Sequence, residues 1–421
     1  MDRFIVRGGH KLRGTVRVGG AKNSSLPILA GCLLADGVSV IRNVPDLRDV
    51  RTMLQILGAL GARAERKKNG DIEIDATELT SHTAPYELVS TMRGSVCVLG
   101  PLLARLGVAK VSHPGGCVIG SRPIDLHLKG LRALGARISI RHGYIMARGD
   151  DLAGTDIFLG GLFGSSCLAT ANVMMAAVYA SGSTVIENAA SEPEMVDLAN
   201  YLNKMGAVVR GAGTHRIEVV GVRKLRPAKY TVMPDRIEAG TFMMASAITK
   251  GEVGVEGAPR GTMAAVFDVL ARAGVRVEAD GDTLWVRQPR KIKATEVATL
   301  PYPGFPTDLQ AQLMAMMCVA DGISVLTEKV FPDRFMHVAE LARMGADILR
   351  EGPRAIVKGG AKLSGAPVMA SDLRASAALV LAGLAAKGET SVARVYHLDR
   401  GYERLDDKLR ALGADVERVK D

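Results

Sequence analysis

The sequence predicts an α/β protein built from six copies of one supersecondary unit, three to each of two lobes. Three observations predict it. A helix-like stretch ending in a glycine phrase, mostly Leu/Met-Gly-Ala, recurs six times. Each recurrence leads into a hairpin pattern and then an apolar helix with a polar start. The last copy is cut short, and a stretch that reads like its missing half opens the chain.

The recurring phrase is ALGARAE at Gly61, ALGARIS at Gly135, KMGAVVR at Gly206, RAGVRVE at Gly274, RMGADIL at Gly345 and ALGADVE at Gly413. Successive glycines are 74, 71, 68, 71 and 68 residues apart. A glycine after an amphipathic helix is the expected left-handed cap, so one match would carry little. Six at near-constant spacing mark duplication.

After each phrase come two alternating runs joined by a turn, as in RAERKKNGDIEID and VRVEADGDTLWVR. Asn-Gly and Asp-Gly between alternating runs read as hairpins. Next is an apolar helix that begins on polar residues, such as FGSSCLATANVMMAA, FPTDLQAQLMAMMCV and SDLRASAALVLAGLA. A short strand led by glycine follows, such as GVSVIRNVP or GISVLTEKVF, and a loop leads to the next glycine-ended helix.

The sixth copy stops at ADVERVKD, before its second strand. The N-terminal DRFIVRGGHKLRGTVRVGG supplies strands of the missing kind. The expected division is therefore a first domain of residues 22–232 and a second of residues 1–21 with 233–421. The chain crosses near Lys22 and returns near Met233.

Composition narrows the function. Of 421 residues, 48% are hydrophobic, enough for a large core and against global disorder. No apolar run is long enough to span a membrane, and the N-terminus lacks a signal-peptide pattern. Cys32, Cys97, Cys117, Cys167 and Cys318 are odd in number and form no CxxC pair. That argues against a disulfide framework and a structural zinc site. The reading is a soluble, cytoplasmic protein. The net charge of +10 suits nucleic acid or small anions, but aromatics are only 4% and no dense Lys/Arg run occurs. Single-strand binders need stacking faces, so small anions are favoured over nucleic acid. No metal-ligand spacing and no P-loop motif is present.

Each unit offers two equivalent exposed places: the start of its polar-started helix and the loop after its glycine-led strand. Helix starts carry unpaired N–H groups and suit anions. They hold Lys22-Asn23, Arg93, Ser165-Ser166, Asp235-Arg236, Asp308 and Asp372 with Arg374. The loops hold Arg48, Cys117 with Arg122, Glu192, Arg260, Arg334 and Arg400. A cation at a helix start opposes the dipole by roughly 0.3–1 kcal/mol. Lys22, Arg93 and Arg374 all do so, and together they suit a phosphate and a carboxylate. Asp308, with Thr307 as its expected cap, is the acidic member of this cationic set, the place for a general base. The two lobes are expected to present these residues across a cleft.

Cys117 lies in GGCVIG, between Gly116 and Gly120, with Arg122 and then Pro123 at a helix-start position. Glycines make such a loop weakly packed, and nearby cations with a helix start lower a thiol's pKa. Cys117 is the reactive candidate, while the other four cysteines lie in apolar stretches and are expected in the core. His113 and His127, which flank the loop, are read as structural.

Taken together, GGAKNSSLPILA, STMRGS, PGGCVIGSRPIDLH, YPGFPTDLQAQ, DRFMHVAELARMGA, SDLRASAALVLAG and YHLDRGYERLDDKLRALGA resemble the enolpyruvyl transferases that act on UDP-N-acetylglucosamine. The similarity runs along essentially the whole chain. It implies a two-domain inside-out α/β barrel of six βαβαββ repeats, three per domain. It implies addition of phosphoenolpyruvate to the 3-hydroxyl of the amino sugar, then loss of phosphate, the first committed step of peptidoglycan precursor synthesis. It implies no metal and no organic cofactor. Oligomeric state is not implied.

Roles carry over by motif. Lys22 and Asn23 match the phosphoenolpyruvate contact. Arg122 and Arg400 match the cations on its phosphate and carboxylate, and Arg374 lines the same cleft. Arg93 and the run Arg122, Pro123, Ile124, Asp125 and Leu126 match the uridine-nucleotide contacts. Asp308 matches the residue at the sugar hydroxyl, with Val330 close by and Arg334 in the same unit's loop. Cys117 matches the proton donor to the methylene carbon, the thiol that fosfomycin alkylates.

One segment departs. Where the family has Ser-Val-Gly-Ala-Thr on the diphosphate, this chain reads GGLFGSSCLATAN with about four extra residues, and Ser166 begins the nearest match. The competing reading is an enolpyruvyl transferase with a different nucleotide acceptor. A shikimate-pathway relative is disfavoured by the PGGC loop and the uridine-site run.

Overall fold

The glycine-ended helices end as their sequence dictates. In the computed structural model, which describes residues 2–115, 124–161, 164–287 and 289–420, Gly61, Gly135, Gly206, Gly274, Gly345 and Gly413 all adopt positive φ, between 78° and 104°. In each case the following N–H bonds the carbonyl five residues back: Ala62 to Leu57, Ala136 to Leu131, Ala207 to Leu202, Val275 to Leu270, Ala346 to Leu341 and Ala414 to Leu409, at 2.8–3.1 Å. This is the Schellman closure, and it turns the chain from each helix into the next strand.

The described residues fall into two compact units. One holds residues 2–19 and 234–420, and the other the described residues between 20 and 233. Each contains its own apolar cluster.

Among the described residues each unit contains three four-stranded sheets of one pattern. In one, Glu296–Thr299 runs parallel to the glycine-led strand Ile323–Glu328. That strand pairs antiparallel with Arg354–Lys358, which pairs with Asp347–Glu351. The N-terminal strand Arg3–Arg7 lies antiparallel between Glu389–Ala393 and Asp415–Val419, with Ile5 opposite both Ser391 and Glu417. Arg13–Arg17 pairs in parallel with Glu252–Glu256.

The polar-started helices are apolar on every face and are therefore interior. Arg236–Ile248 and Gln310–Cys318 bury every residue, and Leu373–Ala385 buries nearly all of its own. These three pack against one another. Lys22–Gly31, Leu99–Leu106 and Cys167–Ala177 form the corresponding interior of the other unit. The glycine-ended helices are amphipathic. Arg48–Ala59 buries Asp49, Val50, Met53, Ile56 and Leu57 on one stripe. Among the described residues no helix is long and apolar enough to cross a membrane.

Two local expectations are corrected. Cys167 is only partly buried, because it is the first helical residue after the Ser166 cap; Cys32, Cys97 and Cys318 are fully buried. Thr307 is not a helix cap. It begins a 3₁₀ turn, Thr307–Leu309, and its hydroxyl is bonded to Glu328 and Arg334 instead.

Candidate functional site

Residues from helix starts and neighbouring loops cluster within each unit. In the unit spanning residues 20–233, Lys22 is the first residue of helix Lys22–Gly31 and is only 7% exposed. Its Nζ lies 2.7 Å from Oδ2 of Asp49, itself 3% exposed. A buried ammonium needs such a partner. Asp49 is in the first turn of helix Arg48–Ala59, where the helix dipole favours a carboxylate. Asn23, beside Lys22, is exposed. The sequence reading named Arg48 at this place and missed Asp49. The signal was present, since an acid in a first turn one step from a flagged arginine is a partner for a buried cation.

Arg93, half-buried, opens a 3₁₀ turn that leads into helix Leu99–Leu106. Ser166 caps helix Cys167–Ala177, its hydroxyl accepting from the Ala169 N–H at 3.4 Å. Asn172 ties these parts together. Its Nδ2 donates to the Val96 carbonyl at 2.9 Å and lies 2.8 Å from His127 Nδ1, while its Oδ1 accepts from the Gly100 N–H at 2.7 Å. His127 is buried at 4% exposure in this structural role.

Ile124 and Leu126 have their side chains in the core, so only their backbone is free for a ligand; Asp125 is exposed. Cys117, Arg122 and Pro123 lie outside the described residues.

In the other unit Asp308 is the centre of an ion cluster. Arg334 Nη1 donates to Asp308 Oδ1 at 2.8 Å, and Arg374 Nη2 donates to Oδ2 at 3.1 Å. The arginine side chains are 4% and 1% exposed, and that of Asp308 23%. Burial alone would raise the Asp308 carboxyl. The charges of Arg374 and Arg334 outweigh it and hold the group well below the usual carboxylate range.

Arg374 lies over the Tyr402 ring at 5.2 Å, and its Nε and Nη1 have no hydrogen-bond partner among the described residues. Two buried guanidinium donors left open favour an acceptor-rich anion in their place. Asp372 caps the helix that carries Arg374, its Oδ1 accepting from the Arg374 and Ala375 N–H groups.

Val330 and Arg400 are half-buried, in the loop after strand Ile323–Glu328 and at the end of the turn Val395–Arg400. The sequence reading missed Glu328. Its carboxylate accepts from Thr307 Oγ1 at 2.8 Å and from the Val330 and Phe331 N–H groups at 2.9 Å.

Lys22 paired to Asp49, and Arg334 and Arg374 paired to Asp308, are cation sites with carboxylates beside them. Such sites can hold a doubly anionic substrate and move a proton at a hydroxyl.

Known proteins resemble the chain over its length. The profile of the family described as EPSP synthase (3-phosphoshikimate 1-carboxyvinyltransferase) matches residues 6–409. The UDP-N-acetylglucosamine 1-carboxyvinyltransferase of Geobacter metallireducens is 53% identical, and that of Trichlorobacter lovleyi 54%, with all of this chain and all of each relative covered. Among solved structures, the enolpyruvyl transferase NikO from Streptomyces tendae superposes with a TM-score of 0.90 at 26% identity, over 100% of this chain and 99% of that one. An EPSP synthase from Acinetobacter baumannii shares the fold, with a TM-score of 0.76 at 21% identity over the whole of both chains. The chain belongs to the enolpyruvyl transferase family, and within it to the UDP-N-acetylglucosamine 1-carboxyvinyltransferases.

Proposed function

We propose that this chain transfers the enolpyruvyl group of phosphoenolpyruvate to the 3-hydroxyl of UDP-N-acetylglucosamine and releases phosphate, as the first committed step of peptidoglycan precursor synthesis. The observation that carries the reading is identity above one half, over the full length, with relatives of that name. The paired cations and carboxylates are of the kind this chemistry needs. A different nucleotide acceptor is not better supported.

The residue roles follow from the resemblance and the local geometry. Lys22, Arg122, Arg374 and Arg400 hold the phosphate and carboxylate of phosphoenolpyruvate. Asn23 contacts phosphoenolpyruvate beside Lys22, while Arg93, the run Arg122, Pro123, Ile124, Asp125 and Leu126, and Ser166 bind the nucleotide, Arg93 by side chain and Ile124 and Leu126 by backbone. The thiol of Cys117 gives its proton to the methylene carbon while the sugar hydroxyl adds to the adjacent carbon. Asp308 accepts the hydroxyl proton, with Val330 beside the sugar.

Held by two guanidiniums, Asp308 is a weak base. Anionic substrate that draws Arg374 or Arg334 toward itself raises its basicity in step with binding. Loss of phosphate from the resulting ketal, together with a proton from its methyl group, then leaves the enol ether.

The finer fold belongs to the same reading: six βαβαββ copies, three per unit, as inside-out α/β barrels. The six like sheets and six like glycine caps support it. The assignment of residues 1–21 with 233–421 to one domain and 22–232 to the other belongs to that reading as well. A cytoplasmic location goes with these substrates.

The test is phosphate release from phosphoenolpyruvate with and without UDP-N-acetylglucosamine, repeated after fosfomycin treatment. Acceptor-dependent release blocked by the drug is the expected result. Release that ignores this acceptor would overturn the reading and direct attention to the Ser166 segment.

A further inference from the structure

Four of the six glycine-led strands lead into a left-handed turn, and those led by Gly107 and Gly322 do not. Asn43, Asn188, Gly257 and Arg394, each six residues after the glycine that leads its strand, adopt positive φ between 56° and 68°. Glu328 stands at the same distance from Gly322. There the strand continues through Ile323–Glu328, one residue longer than the others, and Glu328 is not among the positive-φ residues. A buried side chain replaces the left-handed turn.

Glu328 is 0% exposed. Its Oε1 accepts from Thr299 Oγ1 and from the Val330 and Phe331 N–H groups, the latter two at 2.9 Å; its Oε2 accepts from Thr307 Oγ1 at 2.8 Å. Lys329 N–H closes the same knot on Thr299 Oγ1 at 3.1 Å. A buried carboxylate is costly unless its lone pairs are filled, and here they are. The repeat does not require this arrangement, since its turns form without a buried acid.

The partners lead to the candidate site. Thr307 Oγ1 also accepts from Arg334 Nη1 at 3.1 Å, and the same Nη1 donates to Asp308 at 2.8 Å. Val330 is held through its N–H. One carboxylate therefore fixes the loop that carries Val330 and, by way of the Thr307 hydroxyl, the guanidinium that pairs with Asp308.

We propose that Glu328 is a positioning residue for the acceptor side of the reaction, setting the Val330 loop and the register of Arg334 on Asp308. It touches no substrate and acts through those groups. The proposal rests on the function proposed above for what Asp308 does, but not for the geometry it fixes.

The experiment compares Glu328→Gln and Thr307→Val with the unaltered protein. Glutamine keeps the shape but turns an NH₂ toward donors. The expected result is a loss of tenfold or more in kcat/KM for UDP-N-acetylglucosamine, with the KM for phosphoenolpyruvate changed less than threefold. Thr307→Val is expected to lose less, and the double variant no more than Glu328→Gln alone, because both act along one chain of bonds.

Constants within twofold of the unaltered protein overturn the proposal. So does an equal loss for both substrates that follows the melting temperature, which marks a merely structural role. If Glu328→Gln does not fold, Thr307→Val carries the same comparison. A crystal structure of the folded variant gives a readout without turnover: Arg334 displaced from Asp308 supports the positioning role, and an unmoved pair overturns it. Absence of acceptor-dependent release by the unaltered protein would instead sink the proposed reaction, leaving the crystallographic comparison to decide on Glu328.

Discussion

Arg374 donates from Nη2 to Asp308 Oδ2 at 3.1 Å, across 66 residues of sequence. Arg334 takes the other oxygen at 2.8 Å. One carboxylate thus faces two guanidiniums, whose side chains are only 1% and 4% exposed. Asp308→Ala leaves two buried like charges without that partner, and removing one member of a buried pair costs about 3–5 kcal/mol. Urea unfolding should show a loss of that size, and Asp308→Asn a smaller one. Turnover should fall in both. A fully active Asp308→Ala protein would refute the base role.

Lys22 and Asp49 form the corresponding pair in the other unit, at 2.7 Å. Asp49→Asn keeps the shape and removes the charge that holds the lysine. The expected result is a several-fold rise in the KM for phosphoenolpyruvate, with nucleotide affinity by calorimetry unchanged. An unchanged KM would show that Lys22 is placed without Asp49.

Burial pushes the thiols of Cys32, Cys97 and Cys318 up to about 12, so they hold almost no thiolate at neutral pH. Fosfomycin labelling followed by peptide mass spectrometry should mark Cys117 and none of these three. Cys117→Ser should abolish the label, and a label that persists in that variant would remove Cys117 from its proposed role.

The six glycine caps are not equally tolerant. A Cβ on Gly61, at φ +103°, would meet the Thr80 backbone nitrogen at 2.4 Å, whereas one on Gly413, at φ +91°, meets nothing within 4 Å. Left-handed strain alone costs roughly 1–2 kcal/mol. Gly413→Ala should therefore lose about that much, and Gly61→Ala clearly more, by thermal or urea unfolding. Equal losses would mean the Thr80 segment yields freely.

His337 is 1% exposed, and burial pushes it down to about 4, with Asp372 opposing and Arg334 assisting the shift. A depressed histidine contributes stability above its unfolded value near 6.5, and that stability is lost as pH falls toward 4. The loss amounts to about 3 kcal/mol by linkage. The melting temperature of the protein should drop between pH 6.5 and 4 more steeply than that of His337→Asn. Parallel curves would rule out His337 as the source.

Local chemistry was legible where it is repeated. The glycine phrases name their own left-handed caps, because a Schellman turn depends on a few consecutive residues. All-apolar helices name themselves as interior, since they have no face for water. Lys22, Arg334 and Arg374 were legible as cations at structurally equivalent places, although reading them as surface cations underestimates their burial. Glu328 and Asn172 were not legible, because each is defined by partners in other segments, and Asp49 showed only its first-turn place beside Arg48. Thr307 was misassigned for the same reason: a threonine before a helix is a good local cap, and a buried acid from another strand outcompeted that local bond.

By itself the sequence determined the repeat, the ends of its helices and the residue types that could do the chemistry, since these follow from short-range rules and from counting. Only the tertiary structure decided which charges meet. Arg3–Arg7 finds its place between strands that begin 389 and 415 residues into the chain. Asp308 is matched to two arginines and Lys22 to Asp49. Such pairings depend on which buried polar groups are left to satisfy one another once the apolar faces have closed, and that outcome is set by the whole packed unit rather than by any one segment.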